Sequence, residues 1–185
     1  MEKESVMLIV DDVEINRAIL TQFFKNDYVI IEATNGKEAL DVIEKQPVDI
    51  VLLDLVMPVM DGFELLGILK KNEKFAAIPV IATAARNEGD SEVRAMEMGA
   101  ADFITKPYNP TIVRLRVRNV MARLENEWRK IEQAAQSRKI TEMRHFIERD
   151  SLTGIYNRET FYDKAASLLQ KNAEVPYDII YLDIS

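Results

Sequence analysis

Five polar residues that could together handle a phosphoryl group are spread over the first 109 residues of this 185-residue sequence. They are Asp11, Asp12, Asp54, Thr83 and Lys106, and each follows a short apolar run. Carboxylates brought together repel one another unless a cation neutralises them, and an all-oxygen site with water ligands suits Mg²⁺. Phosphoryl transfer needs an in-line nucleophile and positive charge beside the equatorial oxygens. An aspartate could attack, a metal ion and a lysine could neutralise, and a threonine could donate a hydrogen bond.

The elements that would position these residues are five short apolar runs alternating with amphipathic segments. The runs predict strands at 6–10, 28–31, 50–53, 78–81 and 102–104, and helical spacing predicts helices at 14–24, 37–44, 63–70 and 88–98. Strands covered by helices on both faces form a doubly wound parallel α/β sheet. Ligands bind at the carboxyl ends of the strands in such a sheet, so we expect the five polar residues to converge there.

Each of these residues also has an ordinary structural interpretation. Asp11 and Asp12 precede an amphipathic helix and could be caps, and Asp54 alone could be a solvated loop acid. Thr83 could be a hydroxyl at a strand end, and Lys106 an exposed cation in a turn. The hypothesis of a site therefore depends on all of them following strands one, three, four and five together.

Four stretches carry a resemblance to a known family. They are LIVDD at 8–12, LLDLVMPVMDG at 52–62, IATAA at 81–85 and GAADFITKP at 99–107. Through them, residues 1–109 resemble a response-regulator receiver domain over essentially its whole length. The resemblance implies a flavodoxin-like sheet with strand order 2-1-3-4-5. It also implies phosphorylation by a sensor histidine kinase or a phosphotransfer protein.

The resemblance assigns an acceptor and a metal site. It implies that Asp54 is the phosphoacceptor and that Asp12 binds Mg²⁺ directly, with Asp11 acting mainly through bound water. The backbone carbonyl of Val56 would complete the protein ligands, together with Asp54 itself.

The resemblance also assigns the groups around the phosphoryl oxygens. Lys106 and Thr83 would hold these oxygens, and the peptide bond before Pro107 would be cis. Phe103, three residues before the lysine, stands where receivers often carry an aromatic switch residue that moves inward with the threonine. A permanently buried core phenylalanine is the equal alternative at this position.

The segment from Pro110 to about residue 149 predicts one long helix, because it contains no internal glycine or proline. Apolar residues recur at alternating spacings of four and three, with one gap at Glu127, which is typical of a coiled coil. They are Val113, Val117, Val120, Leu124, Ile131 and Ala134, with a shifted stripe at Ile140, Met143 and Ile147. The alternative is a last helix that covers only its own sheet. We expect that role up to about Val120, and a parallel dimer stalk beyond Leu124.

Residues 150–161, DSLTGIYNRETF, resemble the start of a GGDEF diguanylate cyclase domain. The pattern alone predicts a turn, a helix to about Gln170 and a strand from Tyr177 to Asp183. The resemblance implies that Asp183 binds Mg²⁺ for GTP, although an acid at a strand end is common without a metal. The remaining cyclase motifs would lie beyond Ser185. We therefore expect residues 150–185 to be an incomplete α+β fragment, weakly ordered and not an enzyme by itself.

Composition narrows the remaining possibilities. The absence of cysteine excludes disulfides and thiolate metal sites, and neither a secretory signal nor a membrane-spanning run is visible, so we expect a cytoplasmic protein. Residues 1–109 carry 11 basic and 20 acidic side chains, a net charge of −9, whereas residues 110–150 carry 10 and 6, a net of +4. We interpret the basic helix as a solvated face and expect no nucleic-acid partner.

Three functional hypotheses follow from the sequence. In the first, the receiver controls a cyclase that condenses two GTP into cyclic di-GMP in a homodimer. In the second, the receiver is a phosphorylation-dependent protein-interaction switch without enzymatic output. In the third, which the basic helix weakly permits, it drives a nucleic-acid-binding output.

Overall fold

The computed structural model of the chain describes residues 5–86, 90–149 and 154–171. The chain divides into two compact units, Met1–Glu125 and Asn126–Ser185.

The first unit is built on a five-stranded parallel sheet, as the alternating pattern predicts. Neighbouring strands follow the order β2-β1-β3-β4-β5, which is the flavodoxin-like order. The strands are β1 (Val6–Val10), β2 (Val29–Ala33), β3 (Ile50–Asp54), β4 (Val80–Ala85) and β5 (Asp102–Lys106).

Helices cover both faces of this sheet. They are α1 (Glu14–Phe24), α2 (Gly36–Lys45), α3 (Gly62–Lys71), α4 (Ser91–Glu97) and α5 (Pro110–Glu148). One core cluster lies between the sheet and α2, α3 and α4, and includes Leu8, Val51 and Leu66. The other lies between the sheet and α1 and α5, and includes Ile9, Leu52 and Val117. Because alternate side chains of a strand point to opposite faces, consecutive residues of β1 and β3 supply both clusters.

Local hydrogen bonds start the helices at defined residues. The Asn35 side chain accepts from the first turn of α2, and Asp61 and Glu64 form a reciprocal capping box at the start of α3. The Asn109 side chain accepts from the backbone N–H groups of Thr111 and Ile112 at the start of α5.

Two strands differ from the predicted boundaries in a way that matters for the site. The fourth was predicted at 78–81 but runs from Val80 to Ala85, and the fifth was predicted to end at 104 but continues to Lys106. The apolar pattern stops early because Thr83, Ala84 and Thr105 are small or polar. Thr83 pairs with Asp54 of β3 on one side and with Ile104 of β5 on the other, so β4 continues beyond the apolar run. Thr83 therefore lies inside β4.

The predicted helix 88–98 corresponds to the shorter α4, and residues 87–89 lie outside the described residues. In α5, Val113, Val117 and Val120 are buried in the core of the first unit. The covering role predicted for this part of the helix is therefore what the structure shows.

The second unit contains the remainder of α5 and α6 (Arg158–Lys171). The Asn157 side chain donates to the carbonyl of Ile147 at 2.6 Å and accepts from the N–H of Thr160 at 3.0 Å, so one residue both ends α5 and starts α6. Apolar side chains of α5 in this unit are exposed, among them Trp128, Ile131, Ile140, Met143 and Ile147. The predicted strand 177–183, including Asp183, lies outside the described residues.

None of the helices within the described part of the chain combines the length and apolarity that a membrane crossing requires.

Candidate functional site

Three acidic side chains meet at the carboxyl edge of the sheet. Asp11 directly follows β1, Asp12 begins the connection to α1, and Asp54 is the last residue of β3. Each offers a carboxylate oxygen within 4.8 Å of the others, while Asp11 and Asp54 are buried and Asp12 is exposed. Oxygen-only donors at this separation, with one side open to water, fit the coordination of a hydrated Mg²⁺ ion.

Lys106 reaches this cluster from the end of β5. Its Nζ lies 2.6 Å from Asp54 Oδ2 and 2.8 Å from Asp11 Oδ2. Charge-assisted contacts of this length are strong, particularly where both carboxylates are buried. The lysine therefore links the two buried acids across the carboxyl edge.

Asp11 is fixed by several donors besides Lys106. The backbone N–H of Val13 donates to Oδ1 at 2.9 Å, and the Asn16 side-chain amide is 3.0 Å from both oxygens. Arg17 donates to the backbone carbonyl of Asp11 at 2.8 Å and also contacts Glu32. The first turn of α1 and the residue before it thus fix the orientation of the Asp11 side chain.

Thr83 lies beside the acidic cluster because of sheet register. It is the direct partner of Asp54 in the parallel ladder between β3 and β4, and it is almost completely buried. Its Oγ1 lies 3.2 Å from the hydroxyl of Tyr108, which is also 3.4 Å from Asp11 Oδ2. The site therefore includes an aromatic hydroxyl from the connection after β5.

Burial and neighbouring charges have opposite effects on the pKa values of Asp54 and Lys106. Burial raises the pKa of Asp54 to about 6, despite the lowering effect of Lys106. Burial alone would lower the pKa of Lys106, but its hydrogen bonds to Asp11 and Asp54 raise it overall. Lys106 is therefore a cation at neutral pH, and the Asp54 carboxylate is ionised there at a cost in folding free energy.

We expect this cost to appear as a pH-dependent stability difference between the wild type and Asp54→Asn. The pKa of Asp54 is higher in the folded protein than in the unfolded chain, so its contribution to stability falls as pH rises from about 4 through about 6. In EDTA, the variant should gain about 1–3 kcal/mol over the wild type between about pH 4 and pH 7. Urea unfolding of both proteins at each pH measures the difference. A difference that does not change with pH would contradict this prediction.

The other residues assigned from the sequence have distinct surroundings. Val56 has an exposed side chain, and its backbone N–H donates to the Asp54 carboxylate. The bond between Lys106 and Pro107 is cis. Phe103 is only 5% exposed and lies in the core cluster below α2, α3 and α4, so in this structure it occupies an inward position.

Three further residues contact the site and were not predicted from the sequence. Asn16 and Arg17 lie on the first turn of α1, and a polar pair closely following two aspartates was a usable signal. Tyr108 follows Lys106 and Pro107 directly, so its position next to two candidate residues was also visible. Its contact with Thr83 was not visible, because that contact depends on the pairing of β4 with β5.

The first unit is similar in sequence to proteins of a known family. Residues 7–118 match the family described as response regulator receiver domain. Among curated proteins, "Probable transcriptional regulator ycf27" of Porphyridium aerugineum is 32% identical over 125 residues, which cover 68% of this chain and 51% of that protein. The chain spans about half the length of the first curated relatives it matches.

Solved structures of receiver domains are also similar to this chain. The signal receiver domain of a signal transduction histidine kinase from Syntrophus aciditrophicus has a TM-score of 0.59 and 30% identity, covering 64% of this chain and 90% of that one. A "probable two-component system response regulator/GGDEF domain protein" has a TM-score of 0.62 and 27% identity, covering 65% of this chain and 50% of that one.

Proposed function

This chain belongs to the response-regulator receiver family, and from that premise we propose that it is switched by Mg²⁺-dependent phosphorylation of Asp54. The observation that carries the proposal is the position of Lys106 Nζ, 2.6 Å from Asp54 and 2.8 Å from Asp11. A buried acid beside a fixed cation and two further acids has the groups that phosphoryl transfer requires.

The proposed chemistry assigns one role to each group. An Asp54 carboxylate oxygen forms a bond to phosphorus, and the bond from phosphorus to the donor's leaving group breaks, with that group keeping the electron pair. Lys106 is placed to neutralise the phosphoryl oxygens, and Thr83 to donate a hydrogen bond to one of them. Asp11 and Asp12, with Asp54 and the Val56 carbonyl, would hold Mg²⁺, which would supply further positive charge there.

The experiment that tests this proposal uses acetyl phosphate and Mg²⁺ on the full chain. We expect the mass of one phosphoryl group to be added, and borohydride reduction followed by peptide mapping to place it on Asp54. No added mass in Mg²⁺, or a phosphoryl group on another residue, would contradict the assignment.

Members of this receiver family are phosphorylated by sensor histidine kinases. We therefore infer a kinase or a phosphotransfer protein as the physiological donor for this chain. We propose that the phosphohistidine approaches from the side of the site where Asp12 is exposed.

We also propose that the chain forms a parallel homodimer through a receiver face and a helical stalk. On the stalk, Ile131, Ile140, Met143 and Ile147 are between 59% and 70% exposed. Ile131 belongs to the predicted seam with Leu124 and Ala134, whereas Ile140, Met143 and Ile147 form the shifted stripe. Exposed apolar stripes of this kind are costly in water and are covered when two copies pair. On the receiver, Val93, Met96 and Leu115 are exposed apolar residues on α4 and α5.

The dimer is tested by light scattering after size exclusion, with and without acetyl phosphate. Ile131→Glu places a charge in the seam and should shift the chain toward monomer. Asn126→Glu adds the same charge at an exposed position on the opposite side of the helix from Leu124 and Ile131, ahead of the shifted stripe, and should have no effect. Equal molar masses for all three proteins would exclude a stalk dimer.

The output proposed for a longer protein of this kind is a diguanylate cyclase making cyclic di-GMP from GTP. Similarity of the receiver does not indicate which output domain follows it. Proteins with a similar receiver are named both as a transcriptional regulator and as a GGDEF domain protein. The support is residues 150–161, and the proposed division is a receiver at 1–109, a stalk at 110–149 and a cyclase fragment at 150–185. Asp183 would be its Mg²⁺ ligand.

Reading the gene past codon 185 tests this output. A G-G-[DE]-[DE]-F string further on in the same reading frame would support the cyclase. A stop codon would instead favour a stand-alone interaction switch.

A further inference from the structure

Tyr108 has a hydroxyl at the proposed phosphorylation site that the chemistry above does not use. The hydroxyl lies 3.2 Å from Thr83 Oγ1 and 3.4 Å from Asp11 Oδ2. The ring is half-buried and packs against the core cluster beneath α1 and α5, and this packing positions the hydroxyl.

The number of hydrogen-bond donors and acceptors around Tyr108 limits the groups to which its hydroxyl can donate. A phenol has one proton, and an ionised carboxylate can only accept. The Asp11 oxygens already receive Lys106, Asn16 and the backbone N–H of Val13. Thr83 is different, because its hydroxyl can accept one proton and donate another. If Tyr108 donates to Thr83, the threonine proton remains available for a different acceptor.

The direction in which Thr83 then donates follows from sheet register. Thr83 is the ladder partner of Asp54, so an oxygen on a phosphoryl group attached to Asp54 is a neighbouring acceptor. Phe103 has no hydroxyl and lies in the core on the other face of the sheet, whereas Tyr108 supplies an aromatic hydroxyl to the same threonine. Hydrogen bonds arranged in a chain polarise one another, which strengthens the terminal donor.

We propose that Tyr108 is a positioning residue that orients the Thr83 hydroxyl toward the phosphoryl group and thereby speeds phosphorylation of Asp54. The proposal rests on the proposed function. In the reaction with acetyl phosphate, an Asp54 oxygen bonds to phosphorus, the bond from phosphorus to the acetate oxygen breaks, and acetate leaves with the electron pair. Tyr108 and Thr83 transfer no proton; their hydrogen bonds stabilise negative charge on a phosphoryl oxygen.

The test compares phosphorylation rates of the full chain with acetyl phosphate and Mg²⁺, followed by intact mass. Tyr108→Phe keeps the packed ring and removes the hydroxyl, and loss of one neutral hydrogen bond should slow the reaction about three- to tenfold. Tyr28→Phe is the matched control, because it makes the same change in another half-buried tyrosine on the same core cluster. The acids near Tyr28 are Asp27, Asp49 and Glu125 and not those of the site, so the rate should be unchanged.

The decisive comparison repeats Tyr108→Phe in a Thr83→Val background. Valine preserves the branched shape of this buried strand residue but cannot donate. If Tyr108 acts through Thr83, removing its hydroxyl should cause no further slowing there.

Two results would overturn the proposal in distinguishable ways. Equal slowing by Tyr108→Phe in both backgrounds, or no slowing in the wild-type background, would show that Tyr108 does not act through Thr83. Failure of the wild type itself to take up a phosphoryl group at Asp54 would overturn the proposed function, and this proposal with it.

Discussion

Replacing Asp54 by asparagine is expected to abolish phosphorylation of the chain by acetyl phosphate. The amide has nearly the same shape but lacks the negative charge that makes the carboxylate a nucleophile. We expect the rate to fall by at least about a thousandfold, which corresponds to about 4 kcal/mol of activation free energy. Intact mass measured over time in excess acetyl phosphate and Mg²⁺ gives the rate directly.

A suitable control for Asp54→Asn changes another aspartate of the same unit in the same way. Asp61 caps α3 by accepting from the N–H of Glu64 at 2.8 Å, and asparagine caps a helix about equally well. Asp61→Asn should therefore be phosphorylated at nearly the wild-type rate. Phosphorylation that continues unchanged in Asp54→Asn would show that the acceptor lies elsewhere.

The second large effect is expected at Gly62, the first residue of α3. A Cβ there would lie 2.2 Å from the carbonyl oxygen of Asp54 and 2.7 Å from the Cα of Leu55. These are backbone atoms at the end of β3, so they cannot move away without displacing the Asp54 side chain. Gly62→Ala should lower the free energy of unfolding by about 3 kcal/mol and slow phosphorylation of any protein that still folds.

Gly67 provides the matched control within the same helix. A Cβ at this position meets only the Met98 methyl group at 3.5 Å, an ordinary contact. Gly67→Ala should stabilise the chain by about 0.5–1 kcal/mol, because alanine is the better helix former. Urea unfolding of both variants measures the contrast. A Gly62→Ala protein that unfolds at the wild-type urea concentration would contradict the proposed close approach.

The sheet and the convergence of most site residues could be predicted from the sequence. The alternation of apolar runs and amphipathic segments predicted the parallel sheet, and the structure has it. The convergence of Asp11, Asp12, Asp54 and Lys106 followed from one rule, that parallel strands bring their carboxyl ends to the same edge. The structure places these four side chains together, while their roles in the reaction remain proposals.

The boundaries of β4 were less accessible from the sequence. The apolar run ends near Ile81, but the strand continues through Thr83 to Ala85 because both neighbouring strands pair with it. The end of a strand depends on hydrogen-bonding partners that lie far away in sequence. The apolar pattern indicates only which residues are buried.

The sequence by itself therefore determined the class of fold and the set of residues at the carboxyl edge, because both depend on local periodicity and on the order of elements. The tertiary structure decided which of these residues touch. It placed Thr83 beside Asp54 through strand register, brought Tyr108 to Thr83 through the connection after β5, and fixed Asp11 through Asn16. These contacts join residues from separate elements, so their geometry exists only once the sheet and its helices have packed.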